Sequence, residues 1–221
     1  MLFRESVFVK ATKQNRYYID IAEGDDKIEA WNLVHDVFLD SEYIVQCPAN
    51  IRFRQNYEGS PALNTLAAMD KKGKIVGTIG FIELLQPMMW QHPYRDELEY
   101  HFLYGKVIYE ATNLAVYQSA REIFIFLELT RALFACMSNK RPDYLFIEIS
   151  EKHLKFFQGI LKFKKEGERR IINATTMDST VGMMVDVKKL CSGELYRDCP
   201  DMEQFYLWEN PYISKAKEWL K

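Results

Sequence analysis

The chain is 221 residues long, 48% hydrophobic and 27% charged, with a formal net charge of −2. This is the make-up of a globular protein that can bury a sizeable core, and the near-neutral charge argues against general nucleic-acid binding. No run reaches the roughly 18 apolar residues that a membrane span requires. The opening MLFRESVFVKATK is charged too early and too often for a secretory leader. Cys47, Cys136, Cys191 and Cys199 show no C-x-x-C pair and no nearby histidine pattern, so the expectation is reduced thiols, no metal and a cytoplasmic setting. With no repeat or linker in view, residues 1–221 are expected to form one domain, with a core over about 16–188 and a tail over 191–221 packed on it.

The first elements are a weak strand over Ser6–Ala11 and a better one over Arg16–Ile21. Gly24-Asp25-Asp26 ends the latter and caps a helix over about Lys27–Leu39, whose apolar positions are Ile28, Trp31, Leu33, Val34, Val37 and Phe38. Asp40–Leu63 reads as irregular. Leu66–Met69 and Ile75–Leu84 form a hairpin, with Gly73 in its turn supplying a positive φ. An irregular Met/Trp-rich piece over Pro87–Pro93 precedes a helix over Tyr94–Leu103 that Gly105 stops.

Next comes a strand, a turn and a long helix over Ile108–Met137. Ser119-Ala120-Arg121-Glu122 has the form of a capping box, and apolar residues recur with helical period from Ile123 to Met137. Tyr144–Ile149 is a strand, Ser150 caps a helix over Glu151–Leu161, and strands over Arg169–Ala174 and Gly182–Val187 come after it, joined by the polar Thr175–Thr180. The aromatic tail ends in a helix from Ile213. The order predicts an α/β protein with a mixed, mainly antiparallel sheet and a central parallel βαβ unit.

The strand–turn–helix at 108–137 is the first candidate site. A helix N-terminus beside the end of a strand offers free backbone N–H groups to a phosphate, which singles out Gln118, Ser119, Ala120 and Arg121. Glu110, an acid on that strand, is placed to handle a proton. Glu148 is a second acid, expected on the face opposite Leu145, Ile147 and Ile149. Thr112 and Asn113 are expected to face opposite ways, so that one of them at most reaches the site. His35, His92 and His101 show no partner pattern, and His153 is expected to be packed or solvated. Lys152–Arg170 holds seven lysines and arginines against two glutamates, a basic region suited to an acidic partner. The stretch Leu85–Trp90 with Phe124, Phe126, Phe156 and Phe157 is a candidate lining for an apolar tunnel.

Several stretches carry a resemblance. They are EAWNLVHDVF (29–38), GKIVGT (73–78), EATNLAV (110–116), Ala132-Leu133-Phe134, and IEISEKHLKFF (147–157) with Leu161 and Phe163. In order and spacing they resemble the N-acetyltransferase (GNAT-like) superfamily. Within it they are most similar to two bacterial branches, the acyl-homoserine-lactone (autoinducer) synthases and the long-chain N-acyl amino acid synthases. The resemblance implies the acyl-coenzyme A N-acyltransferase fold and an enzyme that moves a fatty acyl group from a phosphopantetheine thioester, on acyl carrier protein or coenzyme A, to the amine of an amino acid.

It further implies Glu110 as the base, assisted by Thr112, Asn113 and Glu148. Backbone N–H groups at Leu114, Ala115 and Val116 would stabilise the oxyanion. The basic region at 152–170 would dock a carrier protein. Two departures matter. Tyr117–Glu122 lacks the glycines with which coenzyme A users of the superfamily close on a pyrophosphate, which favours a carrier-bound donor. The arginines of the autoinducer synthases are absent, with Asn113 in the strand and Val34-His35 in the first helix. An autoinducer-type synthase, a coenzyme A-dependent acetyltransferase and a non-catalytic acyl-binding protein are the alternatives.

Overall fold

The computed structural model describes residues 17–45, 57–89, 92–117, 123–173 and 178–220. The expected strand at 6–11 and the capping box at 119–122 lie outside them. The elements are β1 (Tyr17–Ile21), α1 (Gly24–Asp40), β2 (Asn64–Asp70), β3 (Ile75–Glu83), the one-turn α2 (Gln86–Met89), α3 (Arg95–Leu103), β4 (Ile108–Val116), α4 (Ile123–Lys140), β5 (Tyr144–Ser150), α5 (Leu154–Gly159), β6 (Lys164–Lys165), β7 (Arg170–Asn173), β8 (Asp178–Asp186), α6 (Val187–Cys191), α7 (Pro200–Glu203) and α8 (Tyr212–Trp219).

The strands form one eight-stranded sheet in the order β1-β2-β3-β4-β5-β8-β6, with β7 also pairing β8. All of its pairings are antiparallel except β4 with β5. This is the mixed sheet with a parallel centre that the element order predicts. Helices cover both faces, which is why β3 is buried along nearly its whole length. On one face α1 sets Ala30, Leu33, Val34 and Val37 against Ala67, Met69, Ile75 and Ala115. Farther along that face Leu98 of α3 packs with Ile108, Phe146 and Met184. The other face carries the main core, in which Leu129, Leu133 and Phe134 of α4 meet Tyr109, Ala111, Leu145 and Ile147, and the tail adds Tyr196, Phe205, Tyr206 and Ala216.

Two local expectations are corrected. Ser150 does not cap a long helix: it makes no side-chain cap hydrogen bond, and its extended backbone pairs with Thr180 in the sheet. The chain then makes a 3₁₀ turn over Glu151–His153 before a short α5, and Leu161 is buried beyond the helix end. The last strand also begins earlier than expected, at Asp178.

β4 contains an irregularity that shapes the site. Thr78 pairs with Ala115 and Gly80 with Thr112, so Asn113 and Leu114 together face the single Ile79. This extra residue is a β-bulge, and Asn113 carries its left-handed φ of 54°. Before the bulge the odd residues Tyr109 and Ala111 face α4; after it the even residues Leu114 and Val116 do, and Ala115 turns to α1.

Candidate active site

The parallel pairing of β4 with β5 runs from Ile108↔Tyr144 only to Ala111↔Ile147. Beyond that point β4 continues against β3, and β5 continues against β8, without pairing each other. A gap therefore opens between the two central strands from Thr112 and Glu148 onward, just beyond Glu110. Backbone N–H groups on the facing edges are left for another partner.

Glu110 is 2% exposed on the face that carries Ile108 and α3. Its Oε2 accepts a hydrogen bond of 2.6 Å from the Tyr57 hydroxyl. The same oxygen lies 3.5 Å from Nε2 of His92, whose side chain is 3% exposed. Tyr57 holds a left-handed φ of 63°, a conformation that costs a non-glycine residue about 1–3 kcal/mol. A hydrogen bond to a charged oxygen returns a similar amount, about 1.5–3 kcal/mol. Burial and the Glu110 charge together push the Tyr57 phenol far above its usual range, so it is a donor at every physiological pH.

Glu148 lies on the same face, as the alternation of β5 predicts: Leu145, Ile147 and Ile149 belong to the α4 core, whereas Phe146 packs with α3. It accepts from the Thr180 hydroxyl, which in turn contacts the Tyr94 hydroxyl at 3.3 Å. Burial holds the Glu148 carboxyl above the usual carboxylate range; the Glu110 charge pushes the same way, while the Thr180 hydrogen bond, His92 and Arg170 pull down.

Tyr94 is the pin behind these groups. A Cβ on Gly167 would run into its ring, and one on Gly182 would stand 2.8 Å from it, so both positions need glycine for the ring to fit. The Arg170 guanidinium covers the ring 4.8 Å from its centroid and holds Glu97 of α3 with two bonds of 2.7 and 2.8 Å.

The structure brings some of the sequence-predicted residues together and separates others. Glu110 and Glu148 share one face and one buried cluster. Thr112 and Asn113 do not point apart, because the bulge turns them together: the Thr112 hydroxyl donates to Asn113 Oδ1 at 3.3 Å. Asn113 Nδ2 is buried without a partner, an amide donor left unspent at the gap. Leu114 and Val116 face the α4 core and Ala115 the α1 side, with their backbone on the gap strand. Gln118, Ser119, Ala120 and Arg121 lie outside the described residues.

Phe126, Phe156 and Phe157 do meet, with ring centroids 5.2–6.0 Å apart, on the α4 face. Leu85 does not join them and is 52% exposed, and Trp90 lies outside the described residues. Of the basic region, Lys165, Arg169 and Arg170 pair with Glu168, Glu151 and Glu97. Lys152, Lys155, Lys162 and Lys164 have no acidic partner among the described residues.

Sequence reasoning missed Tyr57, His92, Tyr94 and Thr180. His101 also has a partner, Glu166 at 2.7 Å, and His153 meets the Tyr43 hydroxyl at 3.3 Å. Only the x-His-Pro-Tyr sequence before α3 marked His92, and nothing in it named the acid. Among the described residues no group of three or more His, Cys, Asp or Glu is arranged to hold a metal ion, and no helix is long and apolar enough to cross a membrane.

The family model for the N-acyl amino acid synthase FeeM matches residues 29–186. No curated protein sequence matches the chain. Among solved structures, FeeM from uncultured soil microbes superposes with a TM-score of 0.66 at 19% identity, covering 79% of this chain and 92% of that one. BjaI, a coenzyme A-dependent acyl-homoserine lactone synthase, gives 0.58 at 14% identity over 92% and 99% of the two chains. An N-acetyltransferase from Staphylococcus aureus gives 0.54 at 14% identity over 78% and 98%. These likenesses concern the fold, and they span acyl and acetyl transfer alike.

Proposed function

The chain belongs to the FeeM family of N-acyl amino acid synthases and is an N-acyltransferase; from that premise we propose that it moves a long-chain fatty acyl group from a carrier-protein thioester to the amine of an amino acid, with Glu110 as the base. The observation that carries the reading is the buried Glu110 carboxylate at the mouth of the β4–β5 gap, bonded through one oxygen and open at the other.

An amino acid arrives as an ammonium, which has no lone pair until a proton leaves it. Glu110 takes that proton, directly or through a water. The freed nitrogen attacks the thioester carbonyl, and the new C–N bond forms as the carbonyl oxygen becomes an oxyanion. Backbone N–H groups of the Leu114–Val116 segment, unpaired toward β5, are suited to hold it, with Thr112 and Asn113 beside them. Collapse breaks the C–S bond. The departing thiolate takes the nitrogen's second proton, and Glu110 releases the first to solvent. Glu148, whose carboxyl burial keeps above the usual carboxylate range, is the second acid proposed to assist from the same face.

The donor's phosphopantetheine arm would enter the gap, and Gln118, Ser119, Ala120 and Arg121, which precede α4 in the sequence, are the proposed partners of its phosphate. A carrier protein is favoured over coenzyme A by the glycine-free sequence 117–122 and by Lys152, Lys155, Lys162 and Lys164, which have no acidic partner among the described residues and could meet an acidic partner in the cytoplasm.

Mass spectrometry of lipid extracts from cells producing the wild type or Glu110→Gln tests the reading. New N-acyl amino acids are expected in the wild type, reduced about 10²- to 10⁴-fold in the variant. No new acyl amide in either would remove the proposed substrates; equal amounts in both would remove Glu110 as the base.

A further inference from the structure

His92 and Tyr57 come from separate loops and converge on the same oxygen of Glu110. We infer that both are positioning residues, which hold Glu110 by Oε2 and leave Oε1 as the atom that takes the acceptor's proton; this rests on Glu110 being the base. The asymmetry is plain in the contacts. Tyr57 donates to Oε2 at 2.6 Å and His92 Nε2 faces it at 3.5 Å, while Oε1 has no hydrogen-bond partner among the described residues.

The tautomer of His92 is set by its other nitrogen. Nδ1 accepts the backbone N–H of Tyr94 at 3.0 Å, so Nδ1 is bare and the ring hydrogen sits on Nε2, aimed at Glu110. His92 thus presents a ring N–H to Glu110. Packing fixes the ring as well: its edge meets Phe146 at 5.4 Å and 70°, with Tyr94 at 6.3 Å.

The other ionisable groups of this cluster are Glu148 from β5 and Arg170 from β7, and each is engaged elsewhere, with Thr180 and Glu97. At 3.5 Å the buried Nε2 makes no hydrogen bond, and such catalytic contacts commonly tighten only when substrate binds. A carboxylate held at one oxygen has its rotation restricted, which leaves Oε1 for the arriving ammonium.

The test is steady-state kinetics of His92→Phe and His92→Gln, with thermal unfolding to confirm folding. His92→Phe, which keeps a ring but no donor, is expected to lower kcat about ten- to hundredfold with KM for the acceptor within about threefold. His92→Gln, which can bring an amide N–H near the Nε2 position, should recover most of the loss. Independently of turnover, ¹⁵N NMR of labelled histidine should show His92 protonated on Nε2 and bare on Nδ1, with Nε2 moving in Glu110→Gln.

Normal kcat in His92→Phe, a Gln variant as slow as Phe, or a proton on Nδ1 would each overturn the inference. If Glu110→Gln keeps full turnover, the base itself is wrong. If only the His92 variants are silent in effect, Glu110 stands and its positioning does not.

Discussion

Glu110 and Glu148 are the same residue type on neighbouring strands, yet their surroundings differ. Glu110 accepts from Tyr57 at one oxygen, with the His92 ring 3.5 Å from it, whereas Glu148 accepts from a hydroxyl and burial holds its carboxyl above the ordinary value of 4.5. A carboxyl raised on folding binds its proton more tightly in the folded state. Its stabilising contribution is therefore full below 4.5 and is lost as pH rises through the folded value. Glu148→Gln, which keeps an acceptor for Thr180 without a charge, should unfold at higher temperature than the wild type near neutral pH, with the difference shrinking as pH falls toward 4.5. Thermal melts across that window check this; a constant offset would mean Glu148 has no raised titration. Both acids are legible in the sequence because strand alternation alone assigns a face. Tyr57, 53 residues from Glu110, and His92 are not, because only folding brings their loops to it.

At the scale of elements, the bulge in β4 and the tail each settle something that periodicity does not. Strict alternation sends Thr112 and Asn113 to opposite faces; the extra residue reverses the parity after it and turns their side chains toward each other. Tyr196, Phe205, Tyr206 and Ala216 of the tail join the main core, and polar groups fasten the tail as much as aromatic ones do. Asn210 donates to the carbonyls of Arg131 and Tyr206 and accepts from the Tyr212 N–H, fastening the start of α8 to α4. Arg131 reaches the Glu209 carbonyl at 2.6 Å, Tyr212 donates to Glu128 at 2.9 Å, and Trp219 donates to Asp20 of β1 at 2.6 Å. Removing one partner of a buried network costs more than the bond itself. Asn210→Ala is expected to lose about 1–3 kcal/mol in urea unfolding while kcat at 25 °C stays within about twofold. A matching loss of kcat would show that the tail shapes the site on the other face.

Across the whole molecule, charge is segregated. The region 152–170 holds seven basic residues against two acidic ones in a chain of net charge −2. Pairing with Glu151, Glu97 and Glu168 consumes Arg169, Arg170 and Lys165, so the docking expectation narrows to Lys152, Lys155, Lys162 and Lys164. Salt shortens the reach of exposed charge from about 8 Å at 0.15 M to about 3 Å at 1 M. The KM for an acyl-carrier donor should then rise several-fold with added NaCl, while that for a short acyl-pantetheine thioester stays put. An equal response of the two donors would discard electrostatic docking. By itself the sequence determined the α/β class, the mixed sheet with its parallel centre, the family, and the face on which Glu148 stands, since hydrophobic period and motif order are local properties. The tertiary structure alone decided which oxygen of Glu110 accepts from Tyr57, which basic residues pair with an acid, and how the tail is fastened. Those depend on contacts between segments far apart in the chain, which form only when burial makes each polar group find a partner.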